Sequence, residues 1–210
     1  METAPRFSKN PLAALALTQM RNAETDSPEF QRACYSLGTV LAVELADFLP
    51  TEDFEIQTPL EPAIGYQWRD PVCLIPILRA GLGLLEPFHT LFPDAPIGQI
   101  GIRRHEDTLE ASVYLEKLPA KLADHTAIVL DPMLATGHSL LAALELISNQ
   151  SPLRILVACA VAAPEGVATV QESFPEVQII GGCLDRELND QGFILPGLGD
   201  AGDRLFGTES

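Results

Sequence analysis

The sequence predicts an α/β fold: a mostly parallel sheet covered by helices on both faces. Three observations carry that prediction. Runs such as VCLIPIL, TAIVL and RILVACAVAA are apolar without strict alternation, as strands buried on both faces are. Segments of helical periodicity separate them, the pattern of β-α-β units. The 210 residues are 47% apolar and 20% charged, which suits one domain with a sizeable core.

Near the start, residues 12–24 have the spacing of a short helix. PEFQRACYSLGTVLAVELADFL (28–49) is a longer amphipathic one. Its Phe30, Cys34, Leu37, Leu41, Leu45 and Phe48 recur at threes and fours, Pro28 suits a first turn and Ser27 its cap. Pro50, Pro59, Pro62 and Gly65 predict an irregular or short-stranded connection over 50–70. From residue 71 strands and helices alternate. Strands are expected at 72–78, 97–102, 112–118, 126–130, 154–163 and 177–184. Helices are expected after RAGLG (79–83), interrupted by Pro87, and at 139–147 and 165–174. In such sheets ligands gather at the carboxyl ends of the strands, here 79–83, Arg103-Arg104, 131–139 and the loop after 184.

Charge narrows the partners. With 13 basic against 29 acidic residues, a formal net charge of −16 repels phosphate backbones and disfavours nucleic acid. A small phosphorylated metabolite remains compatible, because backbone amides and one or two arginines can hold a phosphate. No apolar run reaches about 18 residues and no signal peptide is recognisable, so neither a membrane span nor export is expected, and the location expected is cytoplasmic. Cys34, Cys73, Cys159 and Cys183 lack metal-ligand spacing and read as buried reduced thiols. The four histidines are equally scattered, which argues against a protein-held metal.

LDPMLATGHS (130–139) joins a strand to a helix. Its amides and the Thr136 and Ser139 hydroxyls converge at a helix amino end, where the dipole favours an anion. Asp131 at the strand tip is an acceptor suited to sugar hydroxyls, so the pair reads as a ribose-phosphate site. A capped helix start with a tight turn at Gly137 has the same residues without a ligand, and this stretch alone does not separate the two. No Walker A sequence is present, nor a GxGxxG that follows a strand and is itself followed by a downstream acidic ribose ligand. Arg79, at another strand tip, presents a planar fork suited to a diphosphate. The glycine-rich LPGLGDAGDRLFGT (195–208) holds Leu195, Leu198, Leu205 and Phe206, which are expected to anchor it.

Taken together, VCLIPILRAGLGLLEP, RRHEDTLE, LDPMLATGHSLLAAL, VAAPEGVATVQESFPEV and LNDQGFILPGLGDAGDRLFGT resemble the uracil phosphoribosyltransferase family, in order, from about residue 71 to the end. NPLAALALTQMRNAET resembles its amino-terminal segment more loosely. The resemblance implies the type I phosphoribosyltransferase fold, a parallel sheet flanked by helices with a hood over the active site. It divides the single domain into a helical segment and connection (1–70), a core (71–184) and a base-recognition hood (185–210). The implied reaction, part of pyrimidine salvage, transfers ribose 5-phosphate from phosphoribosyl diphosphate (PRPP) to uracil N1, giving uridine monophosphate (UMP) and diphosphate. Asp131, Pro132, Met133, Leu134, Ala135, Thr136, Gly137, His138 and Ser139 would hold the ribose phosphate, and Arg79 and Arg104 the diphosphate. Ile194, Gly199, Asp200 and Ala201 would read uracil, largely through main-chain groups, with Asp200 also facing PRPP. Asp131, Arg104 and Asp200 are the implied catalytic set. Mg²⁺ would arrive with the diphosphate. The resemblance also implies a homodimer or higher homo-oligomer, the usual state in the family, and some members respond to GTP.

Four positions depart from the family pattern. His138 stands where a second glycine is usual, Arg103 replaces an aromatic residue, the proline expected after Glu110 is missing, and Glu187 replaces a glycine. These changes leave room for a second reading: a catalytically weak, uracil- or UMP-sensing regulatory protein on the same fold.

Overall fold

Alternate residues of the central strands enter opposite hydrophobic layers, because successive side chains of a strand point to opposite faces. The structure, a computed structural model, describes residues 3–104 and 111–208, apart from the side chains of Arg104 and Ala111. In β4 (Val72–Leu78), Leu74 joins one buried layer, while Cys73, Ile75 and Ile77 join the other. In β7 (Thr126–Leu130), Ile128 and Leu130 separate in the same way from Ala127 and Val129. Both faces are covered, which is why these runs read as continuously apolar.

The main sheet has the order β1-β10-β9-β7-β4-β5-β6, with β8 also pairing β9. Its remaining strands are β1 (Arg6–Phe7), β5 (Gln99–Arg104), β6 (Ala111–Lys117), β8 (Met133–Leu134), β9 (Arg154–Ala162) and β10 (Gln178–Leu184). Among the described pairings of this sheet, only β5–β6 is antiparallel. From β4 the chain crosses to β5 on one side, and β7 and β9 then build outward on the other. The carboxyl ends of β4 and β7 therefore flank a topological switch point, where such sheets form their crevice.

Six α-helices, α1 (Pro11–Arg21), α2 (Ser27–Ala46), α3 (Leu82–Leu91), α4 (His138–Ser148), α5 (Pro164–Ser173) and α6 (Ala201–Phe206), and one short 3-10 turn (Leu122–Asp124) lie among the described residues. The buried residues of α1, α2, α3 and α6 share one layer, and those of α4 and α5 the other. Helix α2 starts one residue earlier than the periodicity suggests. Asp26, not Ser27, is its cap and accepts from the Glu29 amide at 2.8 Å, while the Ser27 hydroxyl donates to the Leu205 carbonyl. Pro87 does not interrupt α3; it packs on α2 where Gly38 leaves room for its ring. No described helix is long and apolar enough to cross a membrane.

The segment 50–70 is more regular than its prolines suggest. β2 (Thr51–Gln57) and β3 (Pro62–Trp68) form a seven-pair antiparallel ribbon, separate from the main sheet. Pro50 precedes it, Pro59 lies in the turn, and Pro62 opens β3, so none interrupts the ladder. At the other end of the chain, β11 (Glu187–Leu188) and β12 (Ile194–Leu195) form a small hairpin before α6. Leu198 and Leu205 anchor this region as expected, but Phe206 is exposed.

Candidate functional site

A cleft of about 1070 Å³ opens at the switch point. Ile77 to Ala80 at the end of β4 form part of its wall, with Ile102 from β5. Asp131 and the segment 133–137, with Ser139 and Leu140, line it from the β7–α4 connection, and residues 190–196, 198–200 and 202 face them. The mid-chain turn and the C-terminal segment, distant in sequence, thus meet across one cavity.

The β7–α4 connection is a rigid backbone element. Met133 and Leu134 pair with Val161 and Ala162 of β9 as β8, and the Pro132 carbonyl accepts from the Ala160 and Val161 amides at 3.0 Å. The Asp131 amide donates to the Ala158 carbonyl, which ties the strand tip to β9 as well. Gly137 caps α4 at φ 86°, a left-handed conformation that disfavours a side chain. The first-turn amides of α4 lack carbonyl partners within the helix and lie where Gly137 and Ser139 line the cleft, an arrangement that favours an anion.

The predicted site residues fall into three groups. Arg79, Asp131, Met133, Leu134, Ala135, Thr136, Gly137, Ser139, Ile194, Gly199 and Asp200 line the cleft. Pro132 and Ala201 are buried behind its wall, and His138 is an exposed residue of the first turn of α4, outside the lining. Arg104 ends β5, and its side chain lies outside the described residues, as does most of the RRHEDTLE stretch. The neighbouring Arg103 is exposed and does not line the cleft.

At the mouth, Arg79 donates to Asp203 at 2.8 Å and to the Thr208 hydroxyl at 3.3 Å. Thr208 also donates to Asp203 at 2.6 Å, and that bond, with the one from Arg79, holds the Asp203 carboxyl below its ordinary pKa. Asp200 caps α6 by accepting from the Asp203 amide at 2.9 Å. One short helix therefore links a cleft carboxylate to the partner of a cleft arginine.

Three structural contributors escaped sequence reasoning because each acts across the chain. Arg204 reaches the carbonyls of Met20, Asn22 and Leu198, and its guanidinium lies 4.5 Å from the Phe30 ring centroid. Burial lowers its pKa. Arg21, the last residue of α1, pairs with Asp185 just beyond β10 at 2.6 Å. Both arginines lie in stretches that carry the family resemblance, but nothing in their spacing announced these partners.

Cys183 also differs from expectation. Its Sγ lies 2.8 Å from an Arg21 nitrogen and 3.4 Å from Asp185, a polar setting rather than an apolar one. Burial first, then the neighbouring carboxylate, pushes its pKa up to about 11, so the thiol stays protonated.

Comparison with known proteins agrees with the geometry. The family model described as uracil phosphoribosyltransferase matches residues 7–208. A uracil phosphoribosyltransferase of Malacoplasma penetrans is 43% identical over 200 residues, covering 95% of this chain and 97% of its own. Another, from an Acidovorax species, is 45% identical over 201 residues, covering 95% and 96%. A solved Aquifex aeolicus protein superposes with a TM-score of 0.92 at 37% identity, covering 97% of this chain and 98% of its own. A hypoxanthine-guanine phosphoribosyltransferase of Bacillus anthracis, with a TM-score of 0.51 at 10% identity and covering 76% and 80%, shares the fold alone.

Proposed function

The chain belongs to the uracil phosphoribosyltransferase family, and from that premise we propose how its cleft carries out transfer of ribose 5-phosphate from PRPP to uracil N1, giving UMP and diphosphate. One observation carries the reading: the β7–α4 turn and the turn before α6 line the same cavity. The α4 amino end and the Thr136 and Ser139 hydroxyls take the 5-phosphate, and Asp131 accepts from the ribose hydroxyls. Arg79, with Arg104, takes the diphosphate. The main chain at Ile194 and from Gly199 to Ala201 reads the uracil edge, and Asp200 faces PRPP beside it.

The anomeric carbon gains positive character as diphosphate departs, so the residues act mainly by positioning and by matching charge. No side-chain nucleophile is required. Among the described residues, no group of three His, Cys, Asp or Glu side chains could hold a metal by itself. A Mg²⁺ ion would arrive held chiefly by the diphosphate oxygens and would neutralise the leaving group. Base discrimination follows from a rigid backbone edge: a cytosine amino group set against a main-chain donor leaves buried polar atoms unpaired, at about 1–3 kcal/mol each.

We assign the stretch from residue 185 as the hood, 71–184 as the core and 1–70 as the supporting segment of one domain, in the cytoplasm. A homodimer or higher homo-oligomer is supported by the β2–β3 ribbon, whose Ile64 and Tyr66 are 58% and 73% exposed. Sedimentation of Ile64→Glu and Tyr66→Glu variants tests this; smaller particles than wild type are expected.

The function itself is tested by incubating the protein with uracil, PRPP and Mg²⁺ and measuring UMP. Turnover is expected, with Arg79→Ala raising the KM for PRPP and Asp200→Asn lowering kcat, each by roughly tenfold or more. Ligand-induced stabilisation without any UMP would favour the regulatory reading instead.

A further inference from the structure

The turn that leads from β12 to Gly199 is held by an ion pair from elsewhere in the chain. Gly197 is buried at its centre with φ 62°, and a Cβ there would collide with the Ile194 carbonyl. Its amide donates to Asp185 Oδ2 at 2.9 Å, and its carbonyl accepts from Arg21 Nη1 at 2.9 Å. The same two side chains form a bidentate pair: Arg21 Nη1 donates to Asp185 Oδ2 at 2.9 Å and Nη2 to Oδ1 at 2.6 Å. Arg21 Nη2 also meets Cys183 Sγ, and the Asp185 amide donates to the Ala162 carbonyl at 2.8 Å, which fixes the carboxylate to the end of β9. Both polar groups of one peptide residue are thus clamped by one charged pair, and Asp185 is only 8% exposed.

We propose that Arg21 and Asp185 are positioning residues for base recognition, clamping Gly197 so that Ile194 on one side and Gly199 to Ala201 on the other present a fixed edge to uracil. The inference rests on the base-reading role given above to those residues. Neither Arg21 nor Asp185 lines the cleft, so both act through the turn and touch no substrate. The clamp needs charge and geometry together. A planar fork satisfies the carboxylate and the carbonyl at once, whereas a lysine has a single nitrogen to share between them.

The test uses the full-length protein with Asp185→Asn and Arg21→Lys. Each is expected to raise the KM for uracil by roughly tenfold, and to reduce selectivity for uracil over cytosine, while kcat and the KM for PRPP stay within about twofold. Hydrogen exchange without ligands should show faster exchange at 194–199 in both variants, with the β4 and β7 amides still protected. Unchanged KM for uracil, an equal rise in both KM values, or unchanged exchange at 194–199 overturns the proposal. Loss of the folded state in both variants also overturns it, since the pair would then support the whole fold. The exchange measurement does not depend on turnover, so a wild-type protein that makes no UMP counts against the parent reading and leaves the clamp decided by exchange.

Discussion

Gly137 and His138 are neighbours with opposite backbone requirements. Gly137 sits at φ 86° and a Cβ there would lie 3.1 Å from the Gly166 carbonyl, so Gly137→Ala should cost about 1–2 kcal/mol in urea unfolding. His138 is already helical and exposed, and His138→Ala should change stability by no more than about 0.5 kcal/mol. The glycine missing from the family pattern at 138 therefore carries no left-handed strain here, since Ser151 is the one described non-glycine residue at positive φ. Glu187 is likewise accommodated, paired in β11 opposite Leu195. The thiols give a second prediction at this scale. Burial pushes Cys34 to about 12 and Cys73 to about 11, so folded protein should react slowly with iodoacetamide at neutral pH and quickly once unfolded.

Among the elements, α6 depends most on distant partners. Its six residues are too few to be stable alone, and Arg204 ties it to the α1–α2 connection through several carbonyls and the Phe30 ring. Arg204→Lys keeps the charge but loses the planar fork and the stacked face. It should destabilise the protein by roughly 1–3 kcal/mol and raise the KM for uracil, measured by denaturation and by steady-state kinetics. The cap of α2 gives a smaller effect. Asp26→Ala removes an acceptor for the Glu29 amide and should lower stability by about 1 kcal/mol without altering either KM.

For the whole molecule, acid sensitivity follows from the carboxylates that join its parts. Burial alone would raise the pKa of Asp185; the Arg21 hydrogen bond and the Gly197 amide outweigh it and hold the group below its ordinary value. A depressed carboxylate adds stability that is complete above its unfolded pKa, near about 4, and is lost as pH falls through the folded value. Asp185→Asn should therefore flatten the acid limb of a stability-against-pH curve below about pH 4–5 and leave its neutral slope unchanged. A parallel curve for both proteins would sink that assignment.

The apolar runs of β4, β7 and β9 were legible in the sequence because burial on both faces leaves a signature in consecutive residues. The β7–α4 turn was equally legible, since its glycine, hydroxyls and strand-tip acid lie within ten residues. The β2–β3 ribbon was legible only as one of two alternatives, short strands or irregular chain: its exposed strands lack a buried face, and its prolines suggested irregularity although they lie at its margins. Sequence alone marked the local segments, the strand-to-helix turn at 130–139 and the glycine-rich stretch at 195–208, on which the proposed site rests. Only the tertiary structure decided that they share one cleft, that Arg79 meets Asp203, and that Arg21 and Asp185 close on Gly197. Those pairings span up to 176 residues, and a side chain's choice among distant charged partners depends on how the layers pack rather than on its chain neighbours.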